Sequence, residues 1–277
     1  MRQRELAEQL RALHQPGDPL ILVNAWDAAS ARVVVHAGAR AVATSSAAAA
    51  YVAGYPDGQN IPLAEMLDAV ATITRAVSVP VTADMEAGFG DTPAAAAAAA
   101  RGVIGAGAVG LNIEDTTDPR GLMPGLLPIE SFVEKIHAIR DVAEHADVPL
   151  VLNARVDVFI AEVGPEETRV ERTIERGRAY LEAGADCIFV PAVTDKPTIA
   201  ALVHEIGGCV SILATPRTPT LAELARLGVA RVSMGSGPYR ASLTATLRIA
   251  EEAYGMGTFA HLAEAEITHA DAQELMR

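Results

Sequence analysis

Asp84 and Glu86 stand two residues apart in PVTADMEAGFGD, Glu114 and Asp115 adjoin in GLNIEDT, and Asn153, Arg155 and Asp157 alternate in NARVD. Carboxylates gathered at one place repel, and raise one another's pKa values unless a cation sits among them. A divalent metal resolves that conflict. An all-oxygen donor set favours Mg²⁺ or Mn²⁺ over Zn²⁺, and Mg²⁺ keeps waters while taking few direct carboxylates. Read as a strand, the first segment puts Asp84 and Glu86 on one face, and Asn112 and Glu114 pair in the same way. The same groups could instead form an inter-strand hydrogen-bond network, and residue types alone leave both readings open. No GxSxG, Walker loop, CxxC or HExxH occurs, which removes the common nucleophile, nucleotide and zinc chemistries. His14, His36, His137, His145, His204, His261 and His269 fall in helical or tail segments and are expected at the surface, so no histidine base or metal ligand is expected.

Elements must hold these groups together. Eight short apolar runs recur at 20–26, 41–46, 80–85, 109–115, 149–157, 187–193, 209–216 and 231–237, with helical segments between them. Their apolarity is continuous, as for strands buried on both faces, and eight alternations of strand and helix imply a parallel (β/α)₈ barrel. HAGARAVATS, GAGAVGLNI, EAGADCIFV and RLGVARVSM each place a Gly just past a helix and ahead of a strand, the position of a helix C-terminal cap. In such barrels chemistry lies at the C-terminal ends of the strands. That filter adds Asn24, Asp27, Ser45 and Ser46 to the acidic residues as candidates at one mouth. Gly-Ser-Gly-Pro-Tyr-Arg at 235–240 could cradle a phosphate or carboxylate at a helix start, or be a plain turn.

The chain of 277 residues suits a single domain, with a barrel core at about 18–253 and a helical tail at about 254–277. A net charge of −13 disfavours nucleic acid and anionic membrane surfaces and leaves a small substrate as the expected partner. The two cysteines, Cys187 and Cys209, lie in apolar runs and read as buried thiols in a reducing compartment. The first residues form a charged amphipathic helix without an apolar signal core, so the expected location is the cytoplasm.

The order NAWDAASAR, TSSAAAA, YPDG, ADMEAGFGD, GLNIEDT and NARVD resembles the strand ends of the isocitrate lyase/phosphoenolpyruvate mutase superfamily, from about residue 20 to 250. The resemblance implies a (β/α)₈ barrel whose last helix is exchanged between subunits, hence a homo-oligomer, dimer or tetramer. It implies Mg²⁺ (or Mn²⁺) bound mostly through water at Asp84, Glu86 and Glu114, with Glu86 in place of the usual Asp. It implies substrate binding by Ser45, Ser46 and Ala47, partly through backbone N–H groups. Arg155 would be the cationic clamp, since a planar guanidinium can hold a carboxylate bidentately. Asp57, in GYPDG, matches a site aspartate near the reacting group, and Asn24, Asp27 and Asn153 complete the expected substrate pocket.

The segment after Glu114, DTTDPRGLMPGLLPIESF, departs from the pattern. It lacks the Lys-Lys/Arg-Cys-Gly-His loop of the superfamily's lyases and the Asn-bearing loop of its mutases. Isocitrate and methylisocitrate cleavage are therefore not expected. The metal, carboxylate pocket and Arg155 would still stabilise an enolate. The expected activity is cleavage of a C–C bond next to the 2-oxo group of a small 2-oxo or 2-hydroxy carboxylate, with water, Asp57 or Tyr51 moving the proton. Phosphoenolpyruvate mutase or phosphonopyruvate hydrolase-type C–P chemistry is the alternative, and a non-catalytic barrel that binds a 2-oxo acid or metal is a further one.

Overall fold

The structure is a computed structural model and describes residues 2–117 and 125–277. Its strands form one all-parallel sheet in the order β1-β9-β8-β7-β6-β5-β4-β3-β2. The first apolar run is split at Val23 into β1 (Leu20–Leu22) and β2 (Asn24–Ala25), which pair with β9 (Arg231–Ser233) and β3 (Val42–Thr44) respectively. That one run therefore closes the ladder into an eight-membered barrel. The other strands are β4 (Val81–Asp84), β5 (Gly110–Glu114), β6 (Val151–Arg155), β7 (Cys187–Val190) and β8 (Cys209–Leu213).

Alternation decides which side chains meet the lumen. Ala83, Leu111, Ile113, Leu152, Ala154, Ile188, Val190, Val210, Ile212 and Val232 face outward into the main core. That core is shared with the surrounding helices α2 (Ala28–His36), α3 (Ser46–Val52), α4 (Leu63–Ala76), α5 (Pro93–Gly105), α6 (Ile129–His145), α7 (Arg169–Glu182), α8 (Lys196–Ile206) and α9 (Leu221–Arg226). The residues between them on each strand point inward: Thr82 and Asp84, Asn112 and Glu114, Asn153 and Arg155, Cys187 and Phe189, Ser211, Arg231 and Ser233. The repeated Gly punctuation is structural, for Gly38, Gly107, Gly184 and Gly228 all adopt positive φ one residue past the C-cap of a helix. A left-handed residue there turns the chain back towards the sheet at little cost for Gly.

The lower mouth is sealed by α1 (Arg2–Ala12), whose Ala7 and Leu10 pack with Leu20, Leu22, Ala41, Ala43, Val109, Val148 and Val151 in a second apolar cluster. Cys187 and Cys209 are unpaired, the first buried and the second partly exposed. His14 departs from the surface expectation. It is buried beneath the barrel with Nδ1 2.8 Å from the Leu10 carbonyl oxygen, and burial and Arg231 lower its pKa to about 4. A neutral imidazole is what such a position requires.

The chain ends in α10 (Gly237–Met256) and α11 (His269–Leu275), and Arg32 of α2 donates to the Leu275 carbonyl at 3.0 Å. Among the described residues no helix is long and apolar enough to cross a membrane.

The seal at the lower mouth depends on Gly110. A Cβ there would lie 2.7 Å from Thr82 and 2.8 Å from Leu10 Cδ2. Gly110→Val is expected to lower stability by about 1–3 kcal/mol through overpacking. Denaturant unfolding checks this, and an unchanged midpoint would mean that α1 does not close the barrel.

Candidate active site

The upper mouth gathers Asp57, Asp84, Glu86, Glu114, Arg155 and Asp157, each brought by a different part of the chain or by adjoining strand ends. Arg155, the last residue of β6, is the centre. Its Nη1 lies 2.5 Å from Glu114 Oε2, while Nε and Nη2 donate to Asp157 Oδ1 and Oδ2 at 2.5 and 3.0 Å. Burial disfavours its charge, yet Glu114 and Asp157 outweigh that and keep the guanidinium firmly protonated. Burial likewise pushes Glu114 and Asp157 upward, and Arg155 opposes the rise in both. Of its five N–H groups these contacts occupy three, one on each nitrogen, which leaves one on Nη1 and one on Nη2.

Asp84 ends β4, and its Oδ2 accepts from the Ser46 N–H (3.1 Å) and the Ser46 hydroxyl (2.7 Å). Glu86 does not continue the strand, as the period-two reading had it. It lies in the turn beyond, at φ +50°, followed by Phe89 at φ +58°. Its side chain still turns to the mouth, where Oε2 accepts from the Gln59 N–H at 2.6 Å and Oε1 is buried with no hydrogen-bond partner among the described residues. Burial, then Asp57 and Asp84, push the Glu86 carboxyl up to about 8. Asp57 sits in the turn after α3 (Ser46–Val52), and its carboxyl too is pushed up, by loss of water around it and by Asp84.

The turn carrying Glu86 is held by a residue that the sequence had not flagged. Lys135 of α6 is wholly buried and donates from Nζ to the carbonyls of Ala87 (3.0 Å) and Gly90 (2.9 Å). Its position three residues after Phe132 and four before Ile139 places it on the apolar stripe of α6, the signal that could have found it.

Other candidates serve the scaffold. Asn24 is spent on backbone, donating to the Thr44 carbonyl (2.8 Å) and accepting from the Met234 N–H (2.9 Å). Asp27 caps α2 in a reciprocal box with Ser30. Ser45 caps α3, which leaves the Ala47 N–H without a partner among the described residues. Asp115 turns away from the mouth: its Oδ2 accepts from Tyr180 (2.7 Å) and Arg176 (2.9 Å) of α7, and its Oδ1 from the Asp157 N–H (2.9 Å). Asn153 lies one layer below the mouth, with Nδ2 2.5 Å from Asn112 Oδ1. Tyr51 is exposed on α3, stacked on Tyr239 at 6.0 Å, and Tyr239 meets Trp26 edge-on at 5.2 Å. The segment at 235–240 thus starts α10 and supplies an aromatic wall; Ser236 makes no side-chain cap. Pro119 and Pro124 of the divergent loop lie outside the described residues. Its base is tied by the Thr117 N–H to Gly125 and the Leu127 N–H to Asp115, at 2.9 and 2.8 Å.

Among the described residues no three His, Cys, Asp or Glu side chains stand close enough to ligate one ion directly. Water-mediated binding makes no such demand, and the donor set suits a hard cation: Glu86 Oε1, unpartnered among the described residues, belongs to a carboxyl that burial, Asp57 and Asp84 push up. Asp84 and Glu86 fit that group better than Glu114, which Arg155 already engages.

The profile of the phosphoenolpyruvate phosphomutase family matches residues 10–254. An uncharacterised protein of Mycobacterium tuberculosis (strain H37Rv) is 35% identical over 238 residues, 86% of each chain. Oxaloacetate decarboxylase of Pseudomonas aeruginosa (strain LESB58) is 32% identical over 263 residues, 91% of this chain and 86% of that one. The structure of phosphonopyruvate hydrolase in complex with oxalate and Mg²⁺ superposes with a TM-score of 0.84 at 27% identity, covering 98% of this chain and 94% of that one. The barrel is that of the lyases and mutases of the isocitrate lyase/phosphoenolpyruvate mutase superfamily. Within that superfamily, the chain belongs to the phosphoenolpyruvate phosphomutase family.

Glu86 makes the mouth pH-sensitive. Its folded pKa, about 8, lies above the ordinary carboxylate value near 4.5, so the folded state binds its proton more tightly than the unfolded one. Between these values the metal-free protein should lose stability as pH rises, with a slope of up to about 1.4 kcal/mol per pH unit from this group. Thermal melts of EDTA-treated protein should show that slope, and Glu86→Gln should flatten it. An identical slope in the variant would assign the effect elsewhere.

Proposed function

We propose that the chain is a Mg²⁺- or Mn²⁺-dependent lyase that breaks the C–C bond next to the 2-oxo group of a small carboxylic acid, oxaloacetate-like or a substituted malate, leaving an enolate. The observation that carries the reading is the unpartnered Glu86 Oε1 among Asp57 and Asp84, in a mouth whose Arg155 is already committed to Glu114 and Asp157. Asp84 and Glu86 would hold the ion, with Glu114 behind them. When bound, it draws electron density from the 2-oxo group and lowers the barrier to breaking the adjacent bond.

The chain's own groups do the rest. The free edge of Arg155 receives the substrate carboxylate end-on, and the Ala47 N–H, presented by the Ser45–Ser46 turn, adds a donor beside it. Asp57 stands at the rim with a raised carboxyl, a state suited to passing a proton to the carbon left by cleavage. Tyr51, exposed on α3 against Tyr239, would be the second group to move a proton. Nothing in the chemistry calls for the thiol that the loop after Glu114 lacks. The likeness to phosphonopyruvate hydrolase supports C–P cleavage as a second reading, in which the same groups hold the 2-oxo acid and the bond broken is to phosphorus.

The chain would work as a homo-oligomer in the cytoplasm. Leu243, Leu247, Tyr254, Met256 and Phe259 of α10 and its continuation are exposed apolar groups that a second copy would cover. The free thiols suit a reducing compartment. Light scattering at micromolar concentration should give a dimer or tetramer, and a monomer would overturn the assembly.

Pyruvate release should be followed from oxaloacetate, substituted malates, methylisocitrate and phosphonopyruvate, with Mg²⁺ and with EDTA. Metal-dependent release from an oxaloacetate-like or malate substrate is expected. Release from phosphonopyruvate alone would select the second reading, and silence throughout without oxalate binding would overturn both. Asp57→Ala and Arg155→Ala should each lower kcat by roughly 100-fold or more while the fold survives; normal turnover in either would remove that residue from the site.

A further inference from the structure

One layer below the mouth the barrel holds a charge with no counter-charge. Arg231 of β9 is 1% exposed, points into the lumen and makes no ion pair among the described residues. Burial lowers its pKa to about 10, Cys187 and Asp84 acting the other way, so at neutral pH the guanidinium is charged. Among the described residues its one hydrogen bond runs across the lumen to β5, from Nη2 to Asn112 Oδ1 at 3.3 Å, and its Nε and Nη1 have no partner. A buried, unpaired guanidinium is costly, and an apolar residue would fill a barrel core better.

The chemistry of that one contact orders a chain of amides. A guanidinium carries donors only, so the Asn112 atom facing it must be the carbonyl oxygen. The same oxygen accepts from Asn153 Nδ2 at 2.5 Å, and turning Asn112 over would set its NH₂ against two sets of donors. The usual ambiguity of an amide is thereby removed. The Asn112 NH₂ is left with no partner among the described residues. Asn112 is also partly exposed, whereas Thr82, Asn153, Cys187, Ser211 and Arg231 beside it are buried. It pairs in register with Asp84 and lies two residues below Glu114 on β5. The floor of an otherwise acidic mouth therefore presents one neutral donor.

We propose that Arg231 is a positioning residue which, by fixing the Asn112 amide with its NH₂ towards the mouth, supplies the floor of the site with a donor for an oxygen of a small carboxylate ligand. The inference rests on the reading of the mouth as a carboxylate-binding site. Asn112 is the contact and Arg231 acts only through it.

Oxalate is the probe, titrated calorimetrically into the Mg²⁺-saturated full-length protein and into Arg231→Met, Asn112→Ala and the double variant. Each single change should weaken oxalate roughly tenfold or more, as expected for loss of a hydrogen bond to a charged acceptor. The double variant should be no weaker than Asn112→Ala, because the two act on one contact. Losses that add would overturn the relay, leaving Arg231 with a structural or purely electrostatic role. Should Arg231→Met not fold, the wild-type protein still decides: the Asn112 side-chain NH₂ resonances, assigned with Asn112→Ala, should shift on adding oxalate, and unmoved resonances would overturn the proposal. If the wild type does not bind oxalate at all, the carboxylate-site reading falls and takes the inference with it. Binding without coupling sinks the inference alone.

Discussion

Arg155 holds the mouth together by lying between Glu114 and Asp157, each buried and each costly to leave charged without it. The arrangement extends backwards through the sheet. The Asp157 N–H donates to Asp115, which Tyr180 and Arg176 of α7 grip from the other side, so the angle of the guanidinium is set by a helix outside the barrel. Because the Arg155 charge is paired with those two carboxylates, Asp57, Asp84 and Glu86 are left to crowd one another. The need for a further cation is thus a consequence of how the first one is used.

Two buried cations outside the mouth shape it indirectly. Lys135 holds the turn that carries Glu86 by binding carbonyls rather than carboxylates, so it steers the backbone without neutralising the acid it positions. Arg231 has the complementary place, below the floor, where its donors meet an amide oxygen. Neither would itself meet substrate, yet the left-handed turn at Glu86 and the orientation of Asn112 each depend on one of them.

The barrel was legible because strands buried on both faces leave continuous apolar runs, and because Gly recurs where each helix must stop. The acids were legible by type and place. Their partners were not, for a physical reason: a charged residue in an amphipathic helix or at a strand start reads as solvated, and only a companion placed far along the chain, such as Ala87 for Lys135 or Asn112 for Arg231, makes its burial tolerable. His14 was misjudged in the same way. Asp27 and Ser45 show the converse, since the end of a barrel strand is also the start of a helix, and the side chains that cap a helix are those that could bind a substrate. The position of Glu86 was foreseen, but its left-handed turn was not, because nothing in an Asp-x-Glu spacing reveals where a strand ends.

The split of the first run at Val23 bears on how the molecule is made. Residues 20–25 form both sides of the seam, and one of those sides waits for β9, which is nearly the last part of the barrel to leave the ribosome. Until then the nascent chain is an open sheet with an exposed edge, and closing it must overcome the entropy of a loop that spans almost the whole sequence. Asn24 with Met234, and Trp26 with Tyr239, straddle that seam. One wall of the mouth therefore needs residues from both ends of the barrel, so a chain without β9 and α10 exposes its acids without enclosing anything between them.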